Sequence, residues 1–251
     1  LQGYFKKGNK TAYLKDLYED KAQQSEVVQL LSMFEVAFSP KQRKNYLFYS
    51  ILHLFKDWDL DNYLIFLRKL ADKYFYDVYL NASKLNDINQ PKPNSVDETV
   101  LRGKELNVEL EGEERYFEVI YPKGSYNIPL YVFNYTDYKL WMFYVNHLKG
   151  ETIKSDSEKA KRETIFKNNF GCSDFGLEFF DSFYFSRTRK SLEHFYPQAK
   201  AVRYDEKAED NVSTSKINRF GNFAMISSDM NSSGKDWDPK TKLDHYLDTK
   251  S

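Results

Sequence analysis

The chain has 251 residues, 41% hydrophobic and 17% aromatic, with 20 Tyr and 20 Phe, which is enough apolar material for one large domain or two modest ones. Its 37 basic and 37 acidic side chains cancel, which counts against a uniformly basic nucleic-acid surface but leaves room for a local basic groove. The single cysteine, Cys172, excludes an internal disulfide, fits a reducing cytoplasm and reads as a small buried residue. No apolar run is long enough to cross a membrane. Leu1 is not an initiator methionine and no signal-peptide pattern follows it, as expected of a piece of a longer protein.

Thr11 to Phe38 reads as a helix, with Val27, Leu30, Leu31, Phe34 and Phe38 at helical spacing. Ser39-Pro40 opens a second helix, serine as the cap and proline at the first helical position. Asp59 to Val78 is a third helical run, carrying Tyr63, Phe66, Leu67, Leu70, Tyr74 and Phe75. Aromatics at helical spacing predict core, whereas a base-stacking platform needs exposed rings. His53, among apolar neighbours, reads as a packed histidine. Asn86 to Asn94, with Pro91 and Pro93, is a loop or linker. Leu106 to Tyr121 alternates on both sides of Gly112 and reads as a short β-hairpin.

Asp137 to Leu148 is an aromatic-rich helix, with His147 placed to meet its terminal carbonyls. Lys159, Lys161 and Arg162 lie in a charged stretch that reads as a solvated helical face. Phe179 to Ser186 alternates Phe179, Asp181, Phe183 and Phe185 and reads as a strand. Arg187, Arg189 and Lys190 follow it, just before a Glu-His pair, and are the best candidates for phosphate contacts. Tyr204 to Ser215 is a polar, acidic loop. Asp236 to Asp248 is a closing helix, with Leu243 and Leu247 on one face.

Four residues in this last part suit phosphodiester hydrolysis. Glu193-His194 ends one apolar run, Gly221-Asn222 opens a second, and Asn231 follows where a polar helix can start. Activating water needs a base, and neutral histidine, with a reference pKa of about 6.5, is one near neutral pH. Charge on the leaving oxygen needs a hard cation, and Mg²⁺ or Mn²⁺ takes only one or two protein oxygens, here Glu193 and Asn231. The amide of Asn222 can donate and accept together, which suits a brace for the loop presenting His194. Each piece alone has a plainer reading: a surface Glu-His pair, or two asparagines in turns. Their order on a strand-loop-strand-helix frame is that of a ββα-metal (HNH-type) nuclease.

The same residues resemble a family. Glu193-His194-Phe195-Tyr196-Pro197-Gln198, Phe220-Gly221-Asn222-Phe223 with Ile226-Ser227, Asn231-Ser232, and Pro239 with Lys242 are similar to the C-terminal nuclease domain of GmrSD-like proteins. These are modification-dependent (type IV) restriction enzymes and related anti-phage proteins. Ile128-Pro129-Leu130-Tyr131-Val132-Phe133-Asn134-Tyr135, with Asp137-Tyr138 and Leu140-Trp141, is similar to a run of the same family, so the resemblance covers about 128–246. Two positions depart from it: Phe223 replaces a usual leucine, and Asp236 stands where a further asparagine is frequent. The family's nucleotide-using N-terminal domain carries Asp-Gly-Gln-Gln-Arg, and Gln23-Gln24 does not lie in such a motif.

The expectations are therefore an α+β chain with two parts. Residues 1–125 form a mainly helical domain with a short hairpin, and residues 126–251 an HNH-like nuclease domain. The resemblance implies a metal-dependent DNA endonuclease in the cytoplasm, with His194 and Asn222 catalytic. It implies Glu193 and Asn231 on Mg²⁺ or Mn²⁺, and Arg187, Arg189 and Lys242 on phosphate. Its partners are DNA, modified phage DNA included, and an N-terminal nucleotide-using domain absent from this chain, with no membrane. The alternative is an inactive nuclease-fold module serving DNA binding or protein interaction. One cysteine and dispersed histidines do not make a tetrahedral zinc set, and no Gly-x-x-x-x-Gly-Lys-Ser/Thr loop marks a nucleotide site.

Overall fold

The structure, a computed structural model, describes residues 4–7, 10–13, 16–80, 96–108, 120, 128–147, 155–170, 180–201, 216–230 and 237–248. Strands β1 (Tyr4–Lys7) and β2 (Lys10–Tyr13) pair antiparallel, Tyr4 opposite Tyr13. Helices α1 (Lys21–Ala37), α2 (Pro40–Lys56) and α3 (Leu60–Lys73) follow, and α3 runs on into a π-helical turn, Tyr74–Tyr79. Next come α4 (Asp97–Leu101), α5 (Leu130–His147) and α6 (Asp156–Phe170). A second antiparallel pair, β3 (Arg189–His194) and β4 (Phe223–Ser227), precedes the last helix, α7 (Pro239–Asp248). The described residues are mostly helical with small two-stranded sheets, an α+β arrangement.

The helices start where local chemistry starts them. Asp20 caps α1 by accepting from the Ala22 N–H at 2.6 Å. Ser39 and Gln42 form a reciprocal capping box at α2, with Pro40 at the first position. Asp59 caps α3 through the Asn62 N–H at 2.9 Å. The π-turn closes with the Leu80 N–H on the Phe75 carbonyl at 2.8 Å, five residues back.

The core lies where α1, α3 and α5 meet. Leu30, Met33 and Phe34 of α1 and Leu67 and Leu70 of α3 have no exposed surface. Each buried side chain of this size stabilises the fold by about 1.5–3 kcal/mol before entropy is charged. Tyr131 of α5 packs against both Phe38 and Tyr79, at 5.2 and 4.6 Å between ring centres, and those two rings meet at 6.4 Å. The same buried cluster continues through Phe180 and Phe185 to Met225 on β4. Helix α5 also supports the second sheet, since Phe133 stacks on Phe220 at 4.8 Å and meets Phe223 edge-on.

One buried carboxylate ties the three helices together. Glu26 of α1 is 4% exposed; it accepts two 2.5 Å bonds from the Arg68 guanidinium of α3 and one of 2.9 Å from the Tyr138 hydroxyl of α5. Burial first, and Glu26 second, push the Tyr138 phenol well above its ordinary pKa. Lys73 and Asp77 form a second buried pair at 2.9 Å, with Lys73 also donating to the Asn107 carbonyl.

Several sequence expectations change here. Thr11 lies in a strand, and α1 starts only at Lys21, because residues 10–13 pair with 4–7 and Asp20 supplies the cap. Helix α5 starts at Leu130, earlier than expected, because Tyr131 to Tyr135 are all buried and so carry no polar stripe to mark a helix. Residues 180–186 are not a strand: a turn at 181–182 leads into irregular chain, and Phe180 and Phe185, five residues apart, reach the core without a two-residue period. Of the expected hairpin, 106–108 have no regular structure and Ile120 is helical; the rest lies outside the described residues. So do 86–94, Cys172, Phe179 and 204–215. The expected boundary at 125–126 lies outside them too, while the core runs on from α1–α3 into α5. No helix among the described residues is long and apolar enough to cross a membrane.

The Glu26 junction makes a prediction. Glu26→Ala strands the Tyr138 hydroxyl and the inner edge of Arg68, whose outer part is solvated. We expect a loss of about 2–3 kcal/mol in urea unfolding. A change below about 0.5 kcal/mol, the scale of an exposed pair, contradicts the role given to this carboxylate.

Candidate active site

Strand register brings the Glu-His pair to one end of the small sheet. Leu192 faces Met225, Glu193 faces Ala224 and His194 faces Phe223, after a register shift between Arg189 and Ser191. His194 is half-buried, with its ring centre 4.5 Å from that of Phe223. Its Nε2 lies 3.0 Å from Asn218 Oδ1. With that oxygen as acceptor, Nε2 carries the proton and Nδ1 keeps the lone pair a base needs.

The loop after His194 is held by one amide. Asn222 Oδ1 accepts from the Tyr196 N–H at 2.8 Å, while Nδ2 donates to the Tyr196 carbonyl at 3.1 Å and the Ile217 carbonyl at 2.9 Å. The Asn222 carbonyl accepts from the Phe195 N–H at 2.8 Å. Both sides of the loop are thereby closed onto one residue.

Helix α7 docks on β3 through a lysine. Asp238 caps the helix, accepting from the Thr241 N–H at 3.0 Å and its hydroxyl at 2.8 Å, and these bonds hold its carboxyl below the usual range. Lys242, in the following turn, is wholly buried. Its Nζ donates to Glu193 Oε1 and, at 2.6 Å, to the His194 carbonyl. Glu193 Oε2 has no partner among the described residues.

The proposed site residues thus divide. Glu193, His194, Asn222 and Lys242 come together. Lys242 is not placed as a phosphate contact, because its nitrogen is buried and held by two acceptors. Arg189 points inward, to Asp137 of α5 at 3.3 Å and the Met225 carbonyl at 3.3 Å. Burial raises the Asp137 pKa, and Arg189 opposes that shift. Arg187 is paired with Glu35 of α1, its side chain 65% exposed. Asn231 lies outside the described residues, and α7 begins at Pro239.

Asn218 and Asp137 were missed. Asn218 sits in Lys216-Ile217-Asn218-Arg219, where nothing in the order of residues marks it. No group of three or more His, Cys, Asp or Glu among the described residues is placed to hold a metal ion. The donors are instead few and hard: one carboxylate oxygen of Glu193, beside a histidine. That suits Mg²⁺ or Mn²⁺, which keep most of their shell as water and substrate oxygens.

Against protein-family models, residues 133–250 match GmrSD restriction endonucleases, C-terminal domain. The match supports a restriction-endonuclease-like function. Comparisons with curated proteins and with solved structures gave no match.

Lys242→Met tests how the site is assembled. It leaves Glu193, whose side chain is only 12% exposed, without its counter-charge. We expect the protein to lose about 2–4 kcal/mol of stability, read by urea or thermal unfolding. A surface phosphate contact would leave the melt unchanged.

Proposed function

We propose, from the match of residues 133–250 to the C-terminal domain of GmrSD restriction endonucleases, that this chain is the metal-dependent DNA endonuclease part of a modified-DNA (type IV) restriction or anti-phage defence protein. The observation that carries the reading is the end of β3. There Glu193 and His194 are consecutive residues on a strand-strand-helix frame, with the loop that follows closed by Asn222.

In this reading His194 takes a proton from the attacking water at Nδ1. Asn218 holds the opposite ring nitrogen and keeps the imidazole from turning. Glu193 Oε2, with Asn231, would hold Mg²⁺ or Mn²⁺, which when bound neutralises charge on the 3′ leaving oxygen. Lys242 orients Glu193 by occupying its other oxygen. Asn222 positions His194 by fixing the Phe195-Tyr196 backbone. Arg187 is the side chain left for phosphate, since an exposed pair with Glu35 costs little to exchange. The partners are DNA, modified phage DNA included, and a nucleotide-using domain on a separate stretch of protein.

A second reading, an inactive nuclease-fold module that binds DNA or protein, draws on one observation. Lys242 already neutralises Glu193 and competes with a cation for its charge.

Nicking of supercoiled plasmid separates the two. Wild-type protein should cut with Mg²⁺ or Mn²⁺ and stop with EDTA. Folded His194→Ala should lose roughly two to four orders of magnitude in rate. Near-normal cutting by that variant removes His194 from the chemistry. A wild-type protein that binds plasmid but cuts with neither metal favours the inactive module.

Asn222→Ala should fail differently. It leaves one N–H and two carbonyls unpaired, costing about 1–3 kcal/mol, and its lost cleavage should not return with added Mn²⁺. Recovery with Mn²⁺ at unchanged stability would move Asn222 from loop brace to metal ligand.

A further inference from the structure

A cleft of about 370 Å³ opens between α2, α3 and the turn after α4, away from Glu193 and His194. Helix α2 lines it with Tyr49, His53 and Lys56, and α3 with Phe66 and Lys69, each set on one helical face. Residues 103–106 close it, beginning with Gly103, whose φ of 65° lets the chain turn back there. Its volume is within the range of small-molecule sites, about 300–1,000 Å³.

Three features of the wall ask for a particular ligand. The rings are flat and parallel: His53 stacks on Phe66 at 4.4 Å and 13°. Two polar atoms on lining side chains, the Tyr49 hydroxyl and His53 Nε2, are buried without a hydrogen-bond partner, and native folds rarely leave such atoms unpaired. The charge is lopsided. Lys56, Lys69 and Lys104 have no ion-pair partner among the described residues. Two carboxylates also line the cleft, so the excess is one positive charge; both are turned to neutral donors, Asp57 to the Asp59 N–H and the Asn62 amide, both at 2.9 Å, and Glu105 to the Asn107 amide at 3.1 Å.

We propose that this cleft binds a small ligand joining a planar ring to an anionic group, of the nucleoside monophosphate kind. The ring lies against the Phe66–His53 stack and meets the Tyr49 hydroxyl. The phosphate takes the ammoniums of Lys69 and Lys104. The sequence lacks a glycine-rich phosphate loop, and here lysine side chains on one helix and a turn replace one. The proposal does not depend on the nuclease reading, because none of these residues belongs to that site.

Calorimetric titration of the full 251-residue chain tests it, with AMP and dCMP as probes and adenosine and inorganic phosphate as separate arms. We expect saturable one-to-one binding of a monophosphate, with adenosine and phosphate each roughly tenfold weaker or worse. Lys69→Gln combined with Lys104→Gln should weaken the monophosphate by about tenfold or more at an unchanged melt. Tyr49→Phe, which keeps the ring, should also weaken it. No saturable binding of either monophosphate in the millimolar range overturns the proposal. So does unchanged affinity in the lysine variant. Equal binding of adenosine and AMP overturns it as well, and makes the cleft an apolar groove continuous with exposed Ile65 and Leu101.

Discussion

One buried ammonium joins the end of the chain to the strand that carries the Glu-His pair. A two-stranded sheet alone is marginal in water and needs something packed on it. Here α5 supplies one support, through Phe133 against Phe220 and Phe223. Helix α7 supplies another, through Lys242 on Glu193 and the His194 carbonyl. Because the lysine grips a side chain and the next residue's backbone together, it fixes where the Glu193 carboxylate and the His194 backbone stand. A carboxylate with one oxygen held and the other unpartnered is also a directional group.

The small sheet is tied equally firmly to the helices before it. Arg189 binds Asp137 of α5 and the Met225 carbonyl, and Arg187 reaches Glu35 of α1. The buried cluster passes from α1 and α3 through α5 to Met225. The N-terminal helices therefore act on the site by packing, with Glu26 holding α1, α3 and α5 in one arrangement.

What the sequence made legible was mostly local. Ser39-Pro40 with Gln42, and Asp59 before α3, announce helix starts by side-chain chemistry that needs no tertiary context. The order of Glu193, His194 and Asn222 was readable as a motif, and the pairing of β3 with β4 and the Asn222 amide bring the three to one end of the sheet. Lys242 was not readable in its role. A lysine in a polar helix looks like surface, and only the approach of β3 makes it the buried partner of a carboxylate. The same holds for Arg189, whose neighbour Asp137 is distant in sequence. Tyr131 to Tyr135 hid the start of α5 because burial on all sides erases periodicity. Aromatics at 180–185 imitated a strand by composition, yet only Phe180 and Phe185 of them are buried, on irregular chain.

The central claim is that Glu193 offers its second oxygen to a divalent cation while Lys242 holds the first. Anomalous diffraction from crystals soaked in Mn²⁺ tests it most directly. The account predicts a peak within about 2.0–2.4 Å of Glu193 Oε2, beside His194, with Lys242 still on Oε1. A Mn²⁺ peak elsewhere in the chain, or none beside a Glu193 that stays paired with Lys242, would contradict it.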